Sequence, residues 1–401
     1  MAAIATFCST NHGSGIKKLN NYLLNKHSTT RTHTVFSIPD SRQRLLCYSG
    51  GNKNTHTRQL KSKPNHLRLG NLLKCRAVNH DAAAEEEKED ISQATLLWRA
   101  VKLPIYSVAL VPLTVGSAAA YLQTGLHCAR RYFMLLASSV LIITWLNLSN
   151  DVYDFDTGAD KNKKESVVNI VGSRTGTLIV ACLLLVLGFV GLIWVSMEAG
   201  SMHSILLLAS AVICGYIYQC PPFRLSYQGL GEPLCFSAFG PFATTAFYLL
   251  QSGASELTIN GTVISASLLV GFTTSLILFC SHFHQIEEDK AVGKMSPLVR
   301  LGTEAGSKVV KLAVVTIYSL LFVLGLVQTL PFSSVILCAL TVPMGNSVVS
   351  YVEENHKDKT KIFMAKYYSV RLHTLFGAAL AAGMVAARMF ARKQLPYSVI
   401  L

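Results

Sequence analysis

The chain has 401 residues, of which 51% are hydrophobic and only 14% charged, and its mean hydropathy is +0.38. Ordinary soluble domains carry roughly a quarter charged residues, so this composition excludes that class and indicates a polytopic membrane protein. The net charge of +14 does not indicate a nucleic acid partner, because residues 1–80 hold thirteen Lys and Arg against the single acid Asp40 and so account for all but two of those charges. We expect no nucleic acid binding.

Residues 1–80 are rich in Ser, Thr, Asn, Lys and Arg, nearly free of acids, and without a long apolar core. This composition predicts a transit peptide for a plastid or a mitochondrion, cleaved between Cys75 and His80. A disordered basic tail that stays in the mature protein is the alternative. Residues 81–99 contain the run AAAEEEKED and are predicted to form a solvated acidic linker before a transmembrane domain at 100–395.

From Leu103 onward, apolar stretches close to twenty residues long recur with short breaks, and each is long enough to cross a bilayer as a helix. We count nine predicted spans, at 104–124, 132–150, 174–196, 202–220, 233–252, 259–281, 308–329, 332–352 and 367–389. The loops after even-numbered spans contain fifteen Lys and Arg, whereas the odd-numbered loops contain two. By the positive-inside bias, the even side faces the compartment from which the protein inserts. Arg388, Arg392 and Lys393 go against this trend and would fit eight spans better.

Two acidic clusters follow even-numbered spans and are therefore expected on the same side of the membrane. The first is NDVYDFDTGAD at 150–160, and the second is EED at 287–289. In the first cluster, helical spacing places Asn150, Asp151 and Asp154 on one face. Carboxylates this close repel one another, and a helix C-terminus adds negative charge, so we expect a cation there. Oxygen ligands without His or Cys favour Mg²⁺, which binds one or two carboxylates together with substrate phosphates.

The two clusters and a loop between them resemble the motifs of a known family. The pattern N-D-x-x-D-x-x-x-G-x-D, from Asn150 to Asp160, resembles the first Asp-rich motif of the UbiA-type membrane prenyltransferases, in the form found in the MenA branch. Seven residues further along resemble the second motif of that branch and the segment after it. They are Asp289, Gly293, Lys294, Leu298, Val299, Arg300 and Gly302. The segment GYIYQCPPFRLSYQGLGEP, from Gly215 to Pro233, is similar to the inter-helix loop of the branch.

This resemblance implies an all-α fold in which about nine transmembrane helices surround a central cavity that is open to lipid on its side. Together with the plastid-like leader, it implies transfer of a phytyl group from phytyl diphosphate to 1,4-dihydroxy-2-naphthoate, or 2-carboxy-1,4-naphthoquinone, with loss of diphosphate and CO₂ in phylloquinone synthesis. The implied cofactor is Mg²⁺. The implied location is a chloroplast membrane, either the inner envelope or the thylakoid, with the site facing the stroma.

The roles of individual residues follow from the two motifs and from the chemistry of an allylic diphosphate. Breaking the allylic C–O bond develops negative charge on diphosphate, so metal-holding carboxylates and nearby cations are expected. The implied metal ligands are Asn150, Asp151, Asp154, Glu288 and Asp289, and the implied catalytic residues are Asp151, Asp154 and Asp289. The candidate diphosphate ligands are Lys161, Arg174, Lys290 and Lys294. The candidate acceptor ligands are Arg224, His282 and His284.

The second motif departs from the family pattern at one carboxylate. Bacterial members usually carry N-N-x-R-D-x-x-x-D, whereas this chain has Ser281, His282, His284, Gln285 and Asp289 at the corresponding positions. Because Gln285 replaces a carboxylate, either Glu287 or Glu288 supplies the missing oxygen, or the phosphates do more of the metal binding. The two histidines are expected to contact diphosphate or the acceptor, and polar capping of a helix end is the alternative.

Other functions stay open at this point. One is a related prenyltransferase whose acceptor is homogentisate or chlorophyllide, but such relatives tend to follow the first motif with a K-P or E-P-x-R-P element, and residues 163–174 contain no proline. Another is a membrane transporter, which would place charges near the bilayer midplane or show inverted repeats. The predicted spans are almost free of charge. Each acidic cluster could also be a hydrated loop, and an EF-hand calcium loop would need a terminal Glu.

Overall fold

The structure, a computed structural model of the chain, describes residues 102–159, 166–251 and 258–394. The predicted transit peptide, the predicted acidic linker and Lys161 lie outside the described residues. Across these three ranges the regular secondary structure is helical throughout, which confirms the predicted all-α class.

The described chain folds into fourteen α-helices. They are α1 (Ser107–Thr124), α2 (Ala129–Thr157), α3 (Val167–Val171), α4 (Arg174–Glu198), α5 (Met202–Gln219), α6 (Gly231–Ser237), α7 (Thr245–Gln251), α8 (Gly261–His282), α9 (Ile286–Ala291), α10 (Pro297–Leu326), α11 (Phe332–Ala339), α12 (Val342–Asn355), α13 (Lys359–Ile362) and α14 (Ala365–Gln394). Short 3₁₀ turns cover Leu103–Tyr106, Leu225–Gln228 and Phe283–Gln285, and a π-helical segment, Ala238–Thr244, joins α6 to α7.

Eight helical segments in the described ranges are long and apolar enough to cross a membrane. They are Pro104–Thr124, Ala129–Thr157, Arg174–Glu198, Met202–Gln219, Gly231–Gln251, Gly261–Ala291, Pro297–Leu326 and Lys359–Arg392. The pair α11 and α12, which is bent by 40°, makes a ninth when it is counted as one span. The prediction of about nine membrane helices is therefore confirmed.

Two helices extend further into the polar motifs than hydropathy alone predicts. Helix α2 continues through the first acidic cluster to Thr157 and ends at Gly158, whose φ of 89° is readily adopted by glycine. Helix α10 begins with a helical turn at residues 297–301, which is capped by the Ser296 side chain accepting a hydrogen bond from the Val299 N–H. A kink at Gly302, with φ of 79° and ψ of 167°, separates this turn from the long part of the helix that contains the predicted span. Residues 150–157 of the first motif are therefore a helical extension of a span, and Asp160 lies outside the described residues.

Some helix faces pack closely against neighbouring helices, and others are exposed on the outside of the bundle. Gly116 of α1 packs against the π-helical segment so closely that a Cβ there would lie 2.6 Å from the Thr244 carbonyl oxygen. Small residues permit this approach of backbones in membrane helices. By contrast, α4 exposes Leu183, Leu187 and Trp194 on its outer face. An apolar surface of that kind suits contact with lipid.

Candidate active site

A cavity of about 360 Å³ lies among α1, α2, α5, α6 with its π-helical continuation, α8 and α14. This volume is typical of a small-molecule site, roughly 300–1,000 Å³. Much of its wall is apolar, including Ile105, Ile142, Leu208, Phe239 and Phe247. The polar wall residues include Lys102, Asn147, Asn150, Asp154, Gln219, Ser281, His282, His284, Gln285, Lys294 and Lys366. Several of them come from the ends of α2 and α8, so Asn150 and Asp154 of the first motif and Lys294 of the second border the same cavity, whereas Glu287, Glu288 and Asp289 are not wall residues.

The first motif presents Asn150 and Asp154 to the cavity. These residues are one helical turn apart, and the Asn150 Nδ2 donates a hydrogen bond of 2.8 Å to Asp154 Oδ2. The other carboxylate oxygen of Asp154 accepts a bond of 3.2 Å from the Tyr227 hydroxyl. Asp154 is largely shielded from solvent, so its negative charge is held in place by two donors at the polar end of the cavity.

Asp151 is turned away from the cavity wall, although spacing predicted that it would share a face with Asn150 and Asp154. Its side chain is 0% exposed, and both of its oxygens are engaged. Lys102 Nζ lies 3.0 Å from Oδ1, and the Val167 backbone N–H, in the first turn of α3, donates to Oδ2 at 3.0 Å. Asp151 therefore ties α2 to the chain before α1 and to the start of α3.

Lys102 is held by two residues of α2 and faces the cavity. Besides its contact with Asp151, its Nζ donates a hydrogen bond of 2.7 Å to Asn147 Oδ1. Its backbone lies in the left-handed region, with φ of 49°, a conformation that is uncommon for residues other than glycine. The ammonium is thus fixed on the wall of the cavity.

The second motif contributes a buried acid and a buried cation. Asp289 is 3% exposed, and its Oδ1 lies 3.1 Å from the Nζ of Lys294, which lines the cavity. Asp289 Oδ2 is buried without a hydrogen-bond partner. Neighbouring Glu288 instead pairs with Lys359 on α13. Of the two motif acids, Asp289 is therefore the one directed toward the cavity lysine.

Tyr227 joins the two motifs. Its hydroxyl bonds to Asp154 of the first motif and to Thr157 Oγ1 at 2.8 Å, and its ring centroid lies 5.8 Å from the Nζ of Lys294 of the second. Burial, and secondarily the Asp154 carboxylate, raise the pKa of the Tyr227 phenol, so it stays a neutral donor. Tyr227 consequently links Asp154 of the first motif to Lys294 of the second, which is itself paired with Asp289.

The loop that carries Tyr227 is docked on the segment after the second motif. Met295 N–H donates to the Tyr227 carbonyl oxygen at 2.9 Å, while Arg300 donates to the carbonyls of Gln228 at 2.7 Å and Met295 at 3.1 Å. Gly229 has φ of 80°, and a Cβ there would lie 2.8 Å from the Met295 oxygen. These contacts explain why the loop sequence ends its 3₁₀ turn with glycine.

The candidate diphosphate ligands differ in whether they line the cavity. Lys294 lines the cavity, whereas Lys290 is exposed and is not among the wall residues. Arg174 forms a two-pronged pair with Asp156, at 2.6 and 3.0 Å, on the surface. The described wall holds two further cations that motif analysis did not select, Lys102 and Lys366. Lys366 Nζ lies 3.7 Å from the centroid of the Phe363 ring.

The candidate acceptor ligands are also divided. His282 and His284 line the cavity, and the His284 ring packs edge-on against Phe363 with centroids 4.9 Å apart. His282 Nδ1 lies 3.2 Å from Oε1 of Glu232, on α6. Arg224 is not a wall residue, and its guanidinium lies 6.0 Å from the Tyr227 ring centroid. The imidazoles, and not Arg224, therefore face the space where a ligand would lie.

The site offers oxygen ligands for a divalent cation. In the part of the chain that the structure describes, no three His, Cys, Asp or Glu side chains are grouped closely enough to enclose a metal ion. A hard cation such as Mg²⁺ does not need such a cage, because it retains waters and takes substrate phosphates as ligands. Asp154 and Asp289, the latter with an oxygen that lacks a hydrogen bond, fit that mode of binding.

Comparison with known proteins decides the family. The sequence matches the UbiA prenyltransferase family over residues 109–370. This chain belongs to the UbiA prenyltransferase family. It is 65% identical over 333 residues to the chloroplastic 2-carboxy-1,4-naphthoquinone phytyltransferase of Arabidopsis thaliana, which covers 82% of this chain and 87% of that relative. The Synechocystis enzyme of the same name is 41% identical over 288 residues, or 72% of this chain and 92% of its own.

The fold agrees with that assignment. A solved apo structure of a UbiA homolog from Aeropyrum pernix K1 matches with a TM-score of 0.56 at 14% identity, and covers 71% of this chain and 98% of that one. The likeness at this identity concerns the helical bundle alone.

The Asp-rich motifs do not include Lys102, Lys366 or Glu232, so these three residues were not predicted for the site of this UbiA family member. The sequence does contain a feature from which the two lysines could have been predicted. Each lies just before the apolar part of a predicted span, at the end that the topology places beside the motifs. The contact of Glu232 with His282 joins residues fifty positions apart in the sequence, so spacing could not have indicated it.

Proposed function

We propose that this UbiA-family protein is a phytyltransferase of a chloroplast membrane. It transfers the phytyl group of phytyl diphosphate to 1,4-dihydroxy-2-naphthoate, or to the oxidised form 2-carboxy-1,4-naphthoquinone, with release of diphosphate and CO₂. The Arabidopsis relative, at 65% identity, carries the name of that activity. The observation on which the proposal rests is that Asp154 of the first motif and Lys294 of the second line one largely apolar cavity, and that Tyr227 contacts both of them.

The polar end of the cavity is suited to diphosphate. Lys102, Lys294 and Lys366 place three ammonium groups on its wall, where they can neutralise phosphate oxygens. Asp154 and Asp289 would hold Mg²⁺ together with those oxygens, with Asn150 beside them. Bound there, Mg²⁺ supplies charge neutralisation to the leaving diphosphate. We assign Asp151 and Glu288, whose oxygens meet Lys102 and Lys359, to positioning these residues.

The apolar body of the cavity is suited to the prenyl chain and the aromatic acceptor. Cleavage of the allylic C–O bond leaves positive charge on the prenyl carbon, which must be shielded from water until the ring attacks. The faces of Tyr218 and Phe239, which line the cavity, can stabilise that charge. His282 and His284 lie on the wall beside the acceptor space, and we retain them as acceptor-contacting residues.

An acceptor panel tests this function. Membranes from a heterologous host that expresses the chain would be supplied with phytyl diphosphate and either dihydroxynaphthoate, homogentisate or chlorophyllide, with and without chelator. We expect a phytylated naphthoquinol only with the naphthoate, and loss of product on chelation. Product from homogentisate or chlorophyllide alone would assign the protein to a different acceptor, and chelator-resistant turnover would contradict the metal.

Matched carboxylate variants test the site. Asp154→Asn and Asp289→Asn should each lower turnover by about 100-fold or more, since each removes charge from the leaving-group end. Asp358→Asn is the control, because Asp358 is partly exposed, caps α13 and is not a wall residue of the cavity, and asparagine also caps helices. Equal activity in all three variants would remove the proposed site.

The chloroplast location is inferred from the leader composition and from the chloroplastic relative. Residues 1–80 fused to a fluorescent protein should direct it into chloroplasts, whereas import into mitochondria would contradict the inference. The stromal orientation follows from the cation bias of the even-numbered loops. A cysteine introduced at the exposed position Lys290 should react with an impermeant reagent from the stromal side of the membrane only.

A further inference from the structure

Glu232 and His282 form a buried acid–imidazole pair in which His282 lines the cavity and Glu232 lies behind it. Glu232 lies in the first turn of α6, His282 ends α8, and Glu232 Oε1 is 3.2 Å from His282 Nδ1. His282 is 4% exposed, and both carboxylate oxygens of Glu232 are shielded from solvent without a hydrogen-bond partner. The contact has ion-pair length but falls short of hydrogen-bond geometry, as catalytic contacts often do before substrate binds.

The chemistry of such a pair favours proton uptake by the imidazole. A buried carboxylate without hydrogen bonds is costly unless a neighbouring positive charge compensates it. Here the His282 imidazole is the group within ion-pair distance of Glu232, so a proton that the ring receives during the reaction places a compensating charge beside the buried carboxylate. A similar relation of acid, imidazole and hydroxyl operates in serine hydrolases, where the hydroxyl is the enzyme's own serine and the acid orients the ring and stabilises the imidazolium that forms.

The depth of His282 in the membrane suits the acceptor ring. Asp289 follows His282 by seven residues in the sequence, which is about 10 Å of helical rise. With diphosphate held at Asp289 and Lys294, His282 lies on the membrane side of the leaving group. That is where the prenyl carbon and the attacking ring must meet. The adjoining wall residues Leu278 and Tyr218 give this part of the cavity an apolar and aromatic character.

We propose that His282 is the general base that takes the proton of the acceptor hydroxyl during ring attack, and that Glu232 is its positioning residue. This inference rests on the proposed function. The C–O bond of phytyl diphosphate breaks and its electron pair leaves with diphosphate. A ring electron pair at the carboxylated carbon forms the new C–C bond, while the adjacent hydroxyl becomes a carbonyl and gives its proton to His282 Nε2.

Loss of CO₂ then returns the proton. The bond from the ring to the carboxylate breaks, CO₂ departs, and the electron pair restores the aromatic ring with negative charge on the former carbonyl oxygen. That oxygen recovers the proton from His282, and the product is a quinol. No oxidant or reductant is consumed, and no proton has to reach solvent. A base that is almost completely buried is therefore sufficient, and it acts only on an acceptor that carries a hydroxyl, namely the reduced form.

Variants of the pair test this assignment through separate kinetic constants. His282→Asn should lower kcat with dihydroxynaphthoate by about 10²–10⁴-fold, the usual contribution of general base catalysis. KM for phytyl diphosphate and the affinity of the purified protein for inorganic diphosphate, measured by calorimetry, should stay within about twofold. Glu232→Gln should lower kcat at least about tenfold, and Glu232→Asp should restore most of it. His356→Asn is the matched control, because His356 bonds to Thr303 outside the cavity wall.

The pH profile distinguishes a base from a residue that only packs. The titratable groups beside Glu232 are Tyr218 and Cys235, and Tyr218 in turn lies near Asp154 and Asp289. Glu232→Gln should change the pH dependence of kcat, because it removes the charged group beside the His282 ring, whereas His356→Asn should leave that dependence unchanged. An unchanged pH dependence in Glu232→Gln would overturn the role of Glu232.

The other outcomes are equally decisive. Unchanged kcat in His282→Asn, with melting temperature preserved, would overturn the base. So would a raised KM for the acceptor with normal kcat, which indicates a carboxylate ligand, or a loss of diphosphate affinity. Equal turnover of the wild-type protein with 2-carboxy-1,4-naphthoquinone under oxidising conditions would also overturn it. Wild-type turnover itself reports the proposed function, so failure of that function would be recognised separately.

Discussion

The pair Lys102 and Asp151 provides the sharpest test of how the first motif works. Asp151→Asn keeps the shape of the side chain but removes its charge and leaves one acceptor oxygen for two donors. Hydrogen bonds to charged groups contribute about 1.5–3 kcal/mol each, and breaking a buried ion pair costs about 3–5 kcal/mol. Because the Lys102 side chain is 27% exposed, we expect less than the cost of breaking a fully buried ion pair. The expected loss is about 2–3 kcal/mol in the free energy of unfolding.

Lys102→Met should cost a similar amount, since it strands the buried carboxylate of Asp151. The double variant should be no less stable than either single variant, which corresponds to a coupling energy of about 2 kcal/mol. Lys311→Met is the control, because its pair with Glu353 is exposed, and surface pairs contribute at most about 1 kcal/mol. The assay is denaturant unfolding in detergent, combined with Mg²⁺ titration of activity.

The unfolding free energy and the Mg²⁺ dependence of activity should respond to different variants. Asp151→Asn should unfold more easily but keep the Mg²⁺ dependence of the wild-type protein, whereas Asp154→Asn should do the reverse. If Asp151→Asn instead weakens Mg²⁺ activation as strongly as Asp154→Asn while its unfolding free energy is unchanged, Asp151 is a metal ligand and the pair with Lys102 has been misinterpreted.

Three further changes have defined outcomes. Tyr227→Phe removes the hydroxyl that meets Asp154 and should lower kcat by about 10–100-fold if that charge-assisted bond matters in the transition state, as steady-state kinetics would show. Gly229→Ala should destabilise the protein by about 1–3 kcal/mol, because φ is 80° and the new Cβ would lie 2.8 Å from the Met295 oxygen, and a normal melting temperature would contradict this. Lys366→Met should weaken binding of inorganic diphosphate by about tenfold or more, and unchanged calorimetric affinity would exclude Lys366 from the site.

The parts of this fold that sequence could predict are those determined by the bilayer. A span requires about twenty apolar residues, so the helices of the bundle can be located from hydropathy. Counting spans then places both acidic motifs on one side, and in the structure Asp154 of the first motif and Lys294 of the second line one cavity, with Asp289 paired to Lys294. The proximity of the two motifs could therefore be predicted from the topology.

The direction of individual side chains could not be predicted in the same way. Helical spacing groups Asn150, Asp151 and Asp154, yet successive residues differ by about 100° around the axis, and tertiary contacts decide which of them meets the cavity. Asp151 turned toward Lys102, a residue 49 positions away in the sequence. Likewise, Arg174 is taken up by Asp156 on the surface. Both outcomes depend on non-local pairing, which spacing does not contain.

The ion pairs of the site suggest how it stays stable without substrate and still accepts a highly charged one. Asp289 is buried with Lys294, and neither charge could be left alone in this environment at low cost. When diphosphate arrives, Lys294 can exchange the carboxylate for phosphate oxygens, and Asp289 can exchange the ammonium for Mg²⁺. Each charge then keeps a partner only if both ligands arrive together.

Diphosphate and Mg²⁺ should therefore bind cooperatively. Calorimetry with inorganic diphosphate should show affinity at least about tenfold tighter with Mg²⁺ than in chelator, a coupling of about 1.4 kcal/mol or more. Mg²⁺ without diphosphate should bind weakly, because Asp289 would have to leave Lys294 unpaired. Lys294→Met should reduce this coupling, because it removes the ammonium whose release links the two events. Equal diphosphate affinity with and without Mg²⁺ would show that Lys294 and Asp289 do not exchange partners.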